Sequence, residues 1–233
     1  MDICSMIKET KLNGGDIWIT SDLHMLKRGK DTPRIVSNDE VIKNITKAAS
    51  TMITENDMLI FLGDLLDDTI PRTIAVCEFS EFTKMIKCKR KVWIRGNNDM
   101  LSDKLLKNNG WDVCYSAVGK YNKHVIVFSH TSLEMVGRPC INIHGHMHRN
   151  DNNTMYYYHD PIRCINVAPI TCKGYFINID VIDHMIDEKV WTNNVSAWSG
   201  EEKPGMSKFI YEQAMDEFND DVLHVVFGGG EKE

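Results

Sequence analysis

Hydrophobic residues in this chain gather in short runs that each stop at polar side chains: "DIWIT" at 16–20, "MLIFL" at 58–62, "KVWI" at 91–94, "VIVFS" at 125–129 and "CINI" at 140–143. Runs this short, rich in Val, Ile and Phe, suit buried strands better than helices. Between the first two lies "SNDEVIKNITKAASTMI", whose Val41, Ile42, Ile45, Ala48, Ala49, Met52 and Ile53 fall on one helical face. Ser37 and Glu40 form a capping box at its start. The next connection, "IPRTIAVCEFSEFTKMIKC", sets Pro71 near a helix start and spaces Ile74, Cys77, Phe82, Met85 and Ile86 helically. The first half therefore reads strand, helix, strand, helix, strand, an α/β pattern with parallel pairing.

The second half changes character. A short helix near Ser102 to Asn108 ends at Gly110, and "WDVCYSAVG" and "HVIVFS" flank the turn-like "KYNK", which predicts an antiparallel hairpin. "IRCINVAPI" and "GYFINIDV" predict two further strands before a helix at about 181–190. Beyond "TNNVSAWSGEEKPG", which reads as a loop, "SKFIYEQAMDEFNDD" is amphipathic, and the closing "GGGEKE" has no apolar anchor and is expected to be disordered. The expected organisation is a domain over 1–191 and a C-terminal extension over 192–233.

Composition narrows the class. A chain of 233 residues with 42% hydrophobic and 26% charged residues can bury a sizeable core, and no apolar run approaches the ~20 residues of a membrane span. The start, "MDICSMIKETKLNGG", lacks a basic region followed by an apolar stretch of export-signal length, so the expected location is the cytoplasm. Seven scattered cysteines, an odd number without a C-x-x-C pair, read as reduced thiols used as small apolar residues. A formal charge of −6 argues against strong binding to duplex DNA, which relies on many Lys and Arg contacts to phosphate. The oligomeric state is not legible.

The candidate chemistry lies where the apolar runs end. They lead into Asp22-Leu-His24, Gly63-Asp64, Gly96-Asn97-Asn98-Asp99, Ser129-His130 and His144-Gly-His146-Met-His148. One Asp, His or Asn at a strand end is an ordinary turn former or cap. All five runs ending this way is a pattern, because in open α/β sheets ligands bind beyond the carboxyl ends of the strands, where residues distant in sequence converge. Carboxylate, imidazole and amide oxygen without thiolate suit divalent ions of the Mn, Fe and Zn type and do not make a structural zinc knuckle. The set holds too many donors for one ion, and Asp64 offers a carboxylate able to bridge two. A two-metal centre holds its ions ~3.5–4 Å apart, clamps a phosphoryl group and lowers the pKa of a bound water.

In order, D-x-H, G-D, G-N-x-D, an isolated His after a strand, and G-H-x-H resemble the calcineurin-like metallophosphoesterase superfamily over roughly residues 16–170. The resemblance implies a four-layered α/β/β/α sandwich with two mixed sheets and a di-metal site at one edge. It implies that Asp22, His24 and His148 hold one ion, that Asn97, His130 and His146 hold the other, and that Asp64 bridges them. The implied cofactors are two divalent ions, Mn2+ first, with Fe or Zn as alternatives. The implied reaction is hydrolysis of a phosphate mono- or diester in a small phosphorylated substrate or nucleotide, by a hydroxide held between the ions. Asp99 is implied to orient its neighbours, against the alternative of a plain turn aspartate.

Asn98 departs from the pattern, which most often has histidine there as proton donor to the leaving group or as a stabiliser of charge. Asparagine donates a hydrogen bond but gives up no proton at ordinary pH. The expectation is a hydrolase biased toward leaving groups that depart unprotonated. Other residues keep two readings. Arg95 either contacts a substrate phosphate or is a solvated strand-end arginine. His144, by strand alternation, is expected on the side of His146 and His148, supporting them rather than binding metal. Asp67 orients ligands or, preferably, caps the next helix. Lys27, Arg28, Lys30 and Arg34 form a wet surface or steer anions. Tyr156, Tyr157, Tyr158 and His159 pack on a sheet, or cover the site or stack on a base, with packing preferred. Two rival functions stand beside the phosphoesterase: a nuclease on short or single-stranded nucleic acid, and a non-catalytic protein-binding scaffold on the same fold. The scaffold is disfavoured because all seven ligand positions keep competent side chains.

Overall fold

The computed structural model describes residues 2–25, 38–133, 140–147, 156–159, 162–168 and 176–187. Five strands form a first sheet: β1 (Ile17–Thr20), β2 (Met58–Phe61), β3 (Arg90–Ile94), β4 (Asp112–Cys114) and β10 (Ile177–Asn178), in the order β10-β1-β2-β3-β4. β1 to β4 run parallel, and β10 adds an antiparallel edge. The second sheet, ordered β5-β6-β7-β9-β8, contains β5 (Ser116–Tyr121), β6 (His124–Ser129), β7 (Cys140–His144), β8 (Tyr156–His159) and β9 (Ile162–Asn166). Here β6, β7 and β9 are parallel, while β5 and β8 flank them antiparallel. The fold is thus α/β with two mixed sheets and flanking helices, as expected.

Strand alternation builds two cores. Ile17, Ile19, Met58, Ile60, Val92 and Ile94 point from the first sheet toward Ile126, Phe128, Ile141, Ile143 and Ile165 of the second, so the sheets pack face to face. On the other side of the first sheet, Trp18, Leu59, Phe61 and Trp93 meet α2 (Asn38–Met52) and α3 (Arg72–Met85) through Ile45, Ala49, Phe79 and Phe82. Both faces of these strands are therefore buried, which is why they read as continuous apolar runs. Aromatic rings fill the outer core: Phe61 lies 4.5 Å from Trp93, and Trp93 lies 5.1 Å from Trp111, centroid to centroid.

The structure revises several expectations. A helix absent from the sequence reading, α1 (Ile3–Leu12), starts at Asp2, whose side chain accepts from Cys4 N at 3.0 Å and Ser5 N at 3.3 Å. Its Ile3 and Ile7 join the inter-sheet core, and the short apolar stripe among polar neighbours is why the pattern was weak. The stretch "WDVCYSAVG" is two strands: β4 extends the first sheet, and β5 pairs with β6 in the second. The expected hairpin is there, closed by a two-residue turn in which Asn122 takes φ +48°. The short helix, α4 (Asp103–Asn108), is capped by Ser102, which accepts from Leu105 N at 3.3 Å. The helix expected at about 181–190 is α5 (Ile179–Asp187), and its Ile179, Ile182 and Ile186 complete the inter-sheet core. Asp67 caps no helix; its Oδ1 accepts from Thr69 N at 3.0 Å, while α3 begins after Pro71. Ser37, the basic loop Lys27 to Arg34 and the extension 192–233 lie outside the described residues, as do the side chains of Glu40 and of Tyr156 to His159. Among the described residues no helix is long and apolar enough to cross a membrane.

Candidate metal centre

The carboxyl ends of β1, β2, β3, β6 and β7 meet at one edge of the sandwich. Beyond β1 and β2 the chains stay paired: Asp22 N donates to Gly63 O at 2.9 Å, His24 N to Asp64 O at 3.1 Å and Met25 N to Leu65 O at 2.8 Å. That pairing holds the Asp22 and His24 loop against Asp64. Gly145 N donates to His130 O at 2.9 Å, tying the ends of β6 and β7 in the same way.

Among the described residues five non-glycine residues have positive φ, and four are at this edge: Asp22 (+50°), His24 (+36°), Asp64 (+58°) and His146 (+64°). Such conformations cost of order 1–3 kcal/mol each and persist where the surroundings over-determine them. Two glycines admit the carboxylates. A Cβ on Gly145 would overlap Ser21 Oγ and Asp22 Oδ2, and one on Gly96 would overlap Asp64 Oδ1.

Two donor groups result. Asp22, His24 and Asp64 bring their ligand atoms together, and so do Asp64, His130 and His146. Asp64 belongs to both. His24 Nε2 lies 3.8 Å from Asp22 Oδ1 and 3.7 Å from Asp64 Oδ2, while His130 Nε2 lies 3.3 Å from Asp64 Oδ2. Atoms bound ~2.0–2.2 Å from a common ion stand roughly 3–4 Å from one another, so the spacing fits a divalent ion. Asp22, His24, Asp64 and His130 are each at most 6% exposed. Two buried carboxylates facing imidazoles are costly without a compensating charge, which a cation supplies. The donor set therefore suits the ions the sequence implies.

Each side chain is oriented by a named partner. His130 Nδ1 lies 2.7 Å from the Leu62 carbonyl oxygen, to which it donates, and this turns Nε2 toward Asp64. Asn97 Oδ1 lies 2.8 Å from His130 Nε2, and His146 Nδ1 lies 3.2 Å from the same nitrogen. His146 N donates to Asp22 Oδ2 at 2.7 Å, and Ser21 Oγ donates to the same oxygen. Asn98 grips Asp64 twice, from its backbone N to Oδ1 at 2.9 Å and from Nδ2 to Oδ2 at 2.8 Å. Burial pushes the Asp64 carboxyl up, but His130, the Asn98 N–H and His24 outweigh it and hold the group below the usual carboxylate range. Burial likewise lowers His130, yet Asp64 and Asp22 raise it to about 9.

Asp99 works on the scaffold. Its Oδ2 accepts from Trp93 Nε1 at 2.7 Å and Gly96 N at 2.8 Å, and its Oδ1 accepts from Asp64 N at 3.1 Å. One carboxylate thus joins the outer core, the turn after β3 and the Asp64 backbone, and burial raises its pKa. Arg95 is committed to the β3–α4 connection, with Nη1 donating to Leu101 O at 2.7 Å and Nε lying 3.5 Å from Asp103. His144 is fully buried, its Nδ1 2.7 Å from Gly145 O, in neither donor group, with burial lowering its pKa to about 4. His148 lies outside the described residues.

Sequence reasoning missed Ser21, Trp93 and Asn142. Asn142 is wholly buried inside β7, with Nδ2 donating to Ser129 Oγ at 2.8 Å and Oδ1 accepting from Leu133 N at 2.8 Å, which secures the turn carrying His130. The available signal was an asparagine in the middle of an otherwise apolar strand, a position disfavoured unless its amide is used.

A family model described as calcineurin-like phosphoesterase matches residues 15–229. A comparison with curated proteins found no match. Among solved structures, a protein of unknown function from Aquifex aeolicus aligns with a TM-score of 0.55 at 20% identity, over 73% of this chain and 99% of that one. At such identity the likeness is one of fold. Vacuolar protein sorting 29 from Cryptosporidium parvum aligns at TM-score 0.37 and 14% identity, over 65% of this chain and 72% of its own. An archaeal phosphodiesterase aligns at TM-score 0.35 and 19% identity, over 65% and 82% respectively. These two likenesses are too distant to carry an argument.

Proposed function

Because the chain belongs to the calcineurin-like phosphoesterase family, we propose that it hydrolyses phosphate mono- or diesters at a dinuclear metal centre whose two positions share Asp64. The observation that carries this reading is the meeting of two donor groups at that single buried carboxylate. Asp22 and His24 would hold one ion, with His148 from outside the described residues. Asn97, His130 and His146 would hold the other. Mn2+ is the first choice for a mixed carboxylate, imidazole and amide set, with Fe and Zn as alternatives. When bound, such a pair supplies Lewis-acid charge to phosphoryl oxygens and a nucleophile at neutral pH.

The chain's own residues set the rest of the chemistry. The Leu62 carbonyl fixes the His130 tautomer, and Asn98 holds both Asp64 oxygens, so the bridging carboxylate is oriented before any ion arrives. Asn98 also occupies the place from which a leaving group would be protonated, and it has no proton to give. General acid catalysis contributes about 10²–10⁴-fold. Its loss selects phosphate esters of good leaving groups, such as phosphoanhydrides, nucleotidyl phosphates and aryl esters.

The test is a panel of phosphomonoesters, phosphodiesters, nucleotides and short oligonucleotides with the Mn2+-reconstituted protein, run beside Asp64→Asn. The expected result is that the substitution removes turnover and lowers the bound metal read by elemental analysis. A reconstituted protein that binds no ion, or an Asp64→Asn variant that turns over like the parent, overturns the reading. A preference for oligonucleotides that falls steeply with salt would favour the nuclease.

A further inference from the structure

Four large hydrophobic side chains stand exposed among the described residues: Leu12, Tyr115, Val118 and Val125. Leu12 ends α1, away from the carboxyl ends of the parallel strands, and Val118 and Val125 lie within β5 and β6 on the outer face of the second sheet. Tyr115 differs in position. It is the single residue between β4 and β5, the link by which the chain passes from one sheet to the other, and it is 77% exposed.

Register places this link at the metal-site edge from both sides. In the first sheet Ile94 pairs with Cys114 and Arg95 N donates to Cys114 O at 2.8 Å, so Tyr115 follows the strand end alongside Arg95 and the Gly96–Asn97–Asn98 turn. In the second sheet Ser116 pairs with Ser129, so one step on Tyr115 stands opposite His130. Neighbouring strands lie about 5 Å apart. The two flanking segments are themselves joined, Asn97 Oδ1 to His130 Nε2 at 2.8 Å. An exposed aromatic residue is therefore anchored beside Arg95, two residues before Asn97, and one step beyond the Ser116–Ser129 pair that leads into His130, with no core to pack against.

We infer that Tyr115 is a specificity-determining residue, a platform on which the aromatic ring of a nucleotide or aryl phosphoester stacks while its phosphate lies at the metal centre. This rests on the phosphoesterase reading and narrows its substrate class. The chemistry agrees with Asn98 for aryl esters and for nucleotides cleaved at an anhydride bond, whose leaving groups depart without a proton, and adenosine 5′-monophosphate serves below as a probe of binding. Base stacking on an aromatic side chain is lost on truncation to alanine and largely retained in phenylalanine.

The experiment measures binding and turnover separately for the parent, Tyr115→Phe and Tyr115→Ala. Binding to the Mn2+-reconstituted protein is read by calorimetry for adenosine 5′-monophosphate and phenyl phosphate, which carry a ring, and for ribose 5-phosphate and methyl phosphate, which carry no aromatic ring. The expected result is an affinity loss of about tenfold for the ring-bearing ligands relative to the others in Tyr115→Ala, and a change within about twofold in Tyr115→Phe. The larger loss, adenine or phenyl, names the occupant. In turnover the loss falls on KM rather than kcat. An equal effect of Tyr115→Ala on both classes, or none, overturns the inference. Should the parent hydrolyse no ester while Tyr115→Ala still weakens only the ring-bearing ligands, the hydrolase reading fails and the platform stands.

Discussion

Asp99→Ala removes an acceptor shared by three N–H groups, and the cost follows from where those groups lie. Trp93 and Asp64 are fully buried, and Gly96 is half-buried. The indole and the two amides donate at 2.7, 3.1 and 2.8 Å. Water can replace the carboxylate at Gly96, but the other two donors lose their partner in a dry setting. An unsatisfied buried donor costs about 1–3 kcal/mol, so the pair costs roughly 2–6 kcal/mol. Against a total stability of about 5–15 kcal/mol that is a large fraction. For a domain near this size each kcal/mol shifts Tm by about 2–4 °C, so the lower bound alone lowers Tm by roughly 4–8 °C. The assay is thermal unfolding followed by circular dichroism, with Glu81→Ala as control. Among the described residues Glu81 pairs with exposed Lys84 at 2.6 Å, and its loss stays within about 0.5 kcal/mol. A Tm drop below about 2 °C for Asp99→Ala would show that the carboxylate does not bind the outer core, the β3 turn and Asp64 into one unit.

Three further outcomes are expected. Asn98→His restores a titratable donor at the leaving-group position, so hydrolysis of alkyl phosphates rises relative to aryl phosphates by about 10²-fold or more; an unchanged alkyl-to-aryl ratio of kcat/KM would sink the leaving-group argument. Gly145→Ala drives a Cβ into Asp22 Oδ2 and Ser21 Oγ, so it destabilises by about 1–3 kcal/mol and weakens Mn2+ binding, whereas unaltered urea midpoint and calorimetric affinity would contradict the close packing. Tyr121 is the pH case: burial, its hydrogen bond to Asp180 and the charges of Asp180 and Asp183 raise its phenol above the usual value. With the folded pKa raised, both states are neutral below about 10, and above it only the unfolded chain ionises, so stability falls as pH rises past that point. Titrated at 295 nm, the difference between the parent and Tyr121→Phe should show one phenol that ionises only as the fold is lost; a difference that titrates at about pH 10 in the folded protein would refute it.

The candidate site was legible because its signal is local. Each apolar run ends in a donor within a few residues, and strand ends in an α/β sheet converge by topology, so Asp22, His24, Asp64, Asn97, His130 and His146 could be named together without coordinates. Residues that act through single contacts left weaker marks. Trp93 reads as an ordinary core residue until its indole N–H is seen on Asp99, 6 positions away along the chain and across a turn. Arg95 reads equally as a phosphate contact or a solvated strand-end arginine, and neither reading anticipates the hold that Leu101 and Asp103 have on it. His144 is wholly buried, its Nδ1 beside the Gly145 carbonyl and its ring within electrostatic reach of Asp22, His130 and His146 though in neither donor group.

Periodicity and turn chemistry in the amino-acid sequence determined most of the strands, the two central helices and the hairpin, because each is written within a few neighbouring residues. Tertiary structure alone decided that "WDVCYSAVG" divides between two sheets, that Asp64 is common to both donor groups, and that Tyr115 stands exposed at the passage from one sheet to the other. The physical reason is that such facts are distances between segments far apart in the chain, set by how two sheets pack and register against each other. Local propensity has no term for that register.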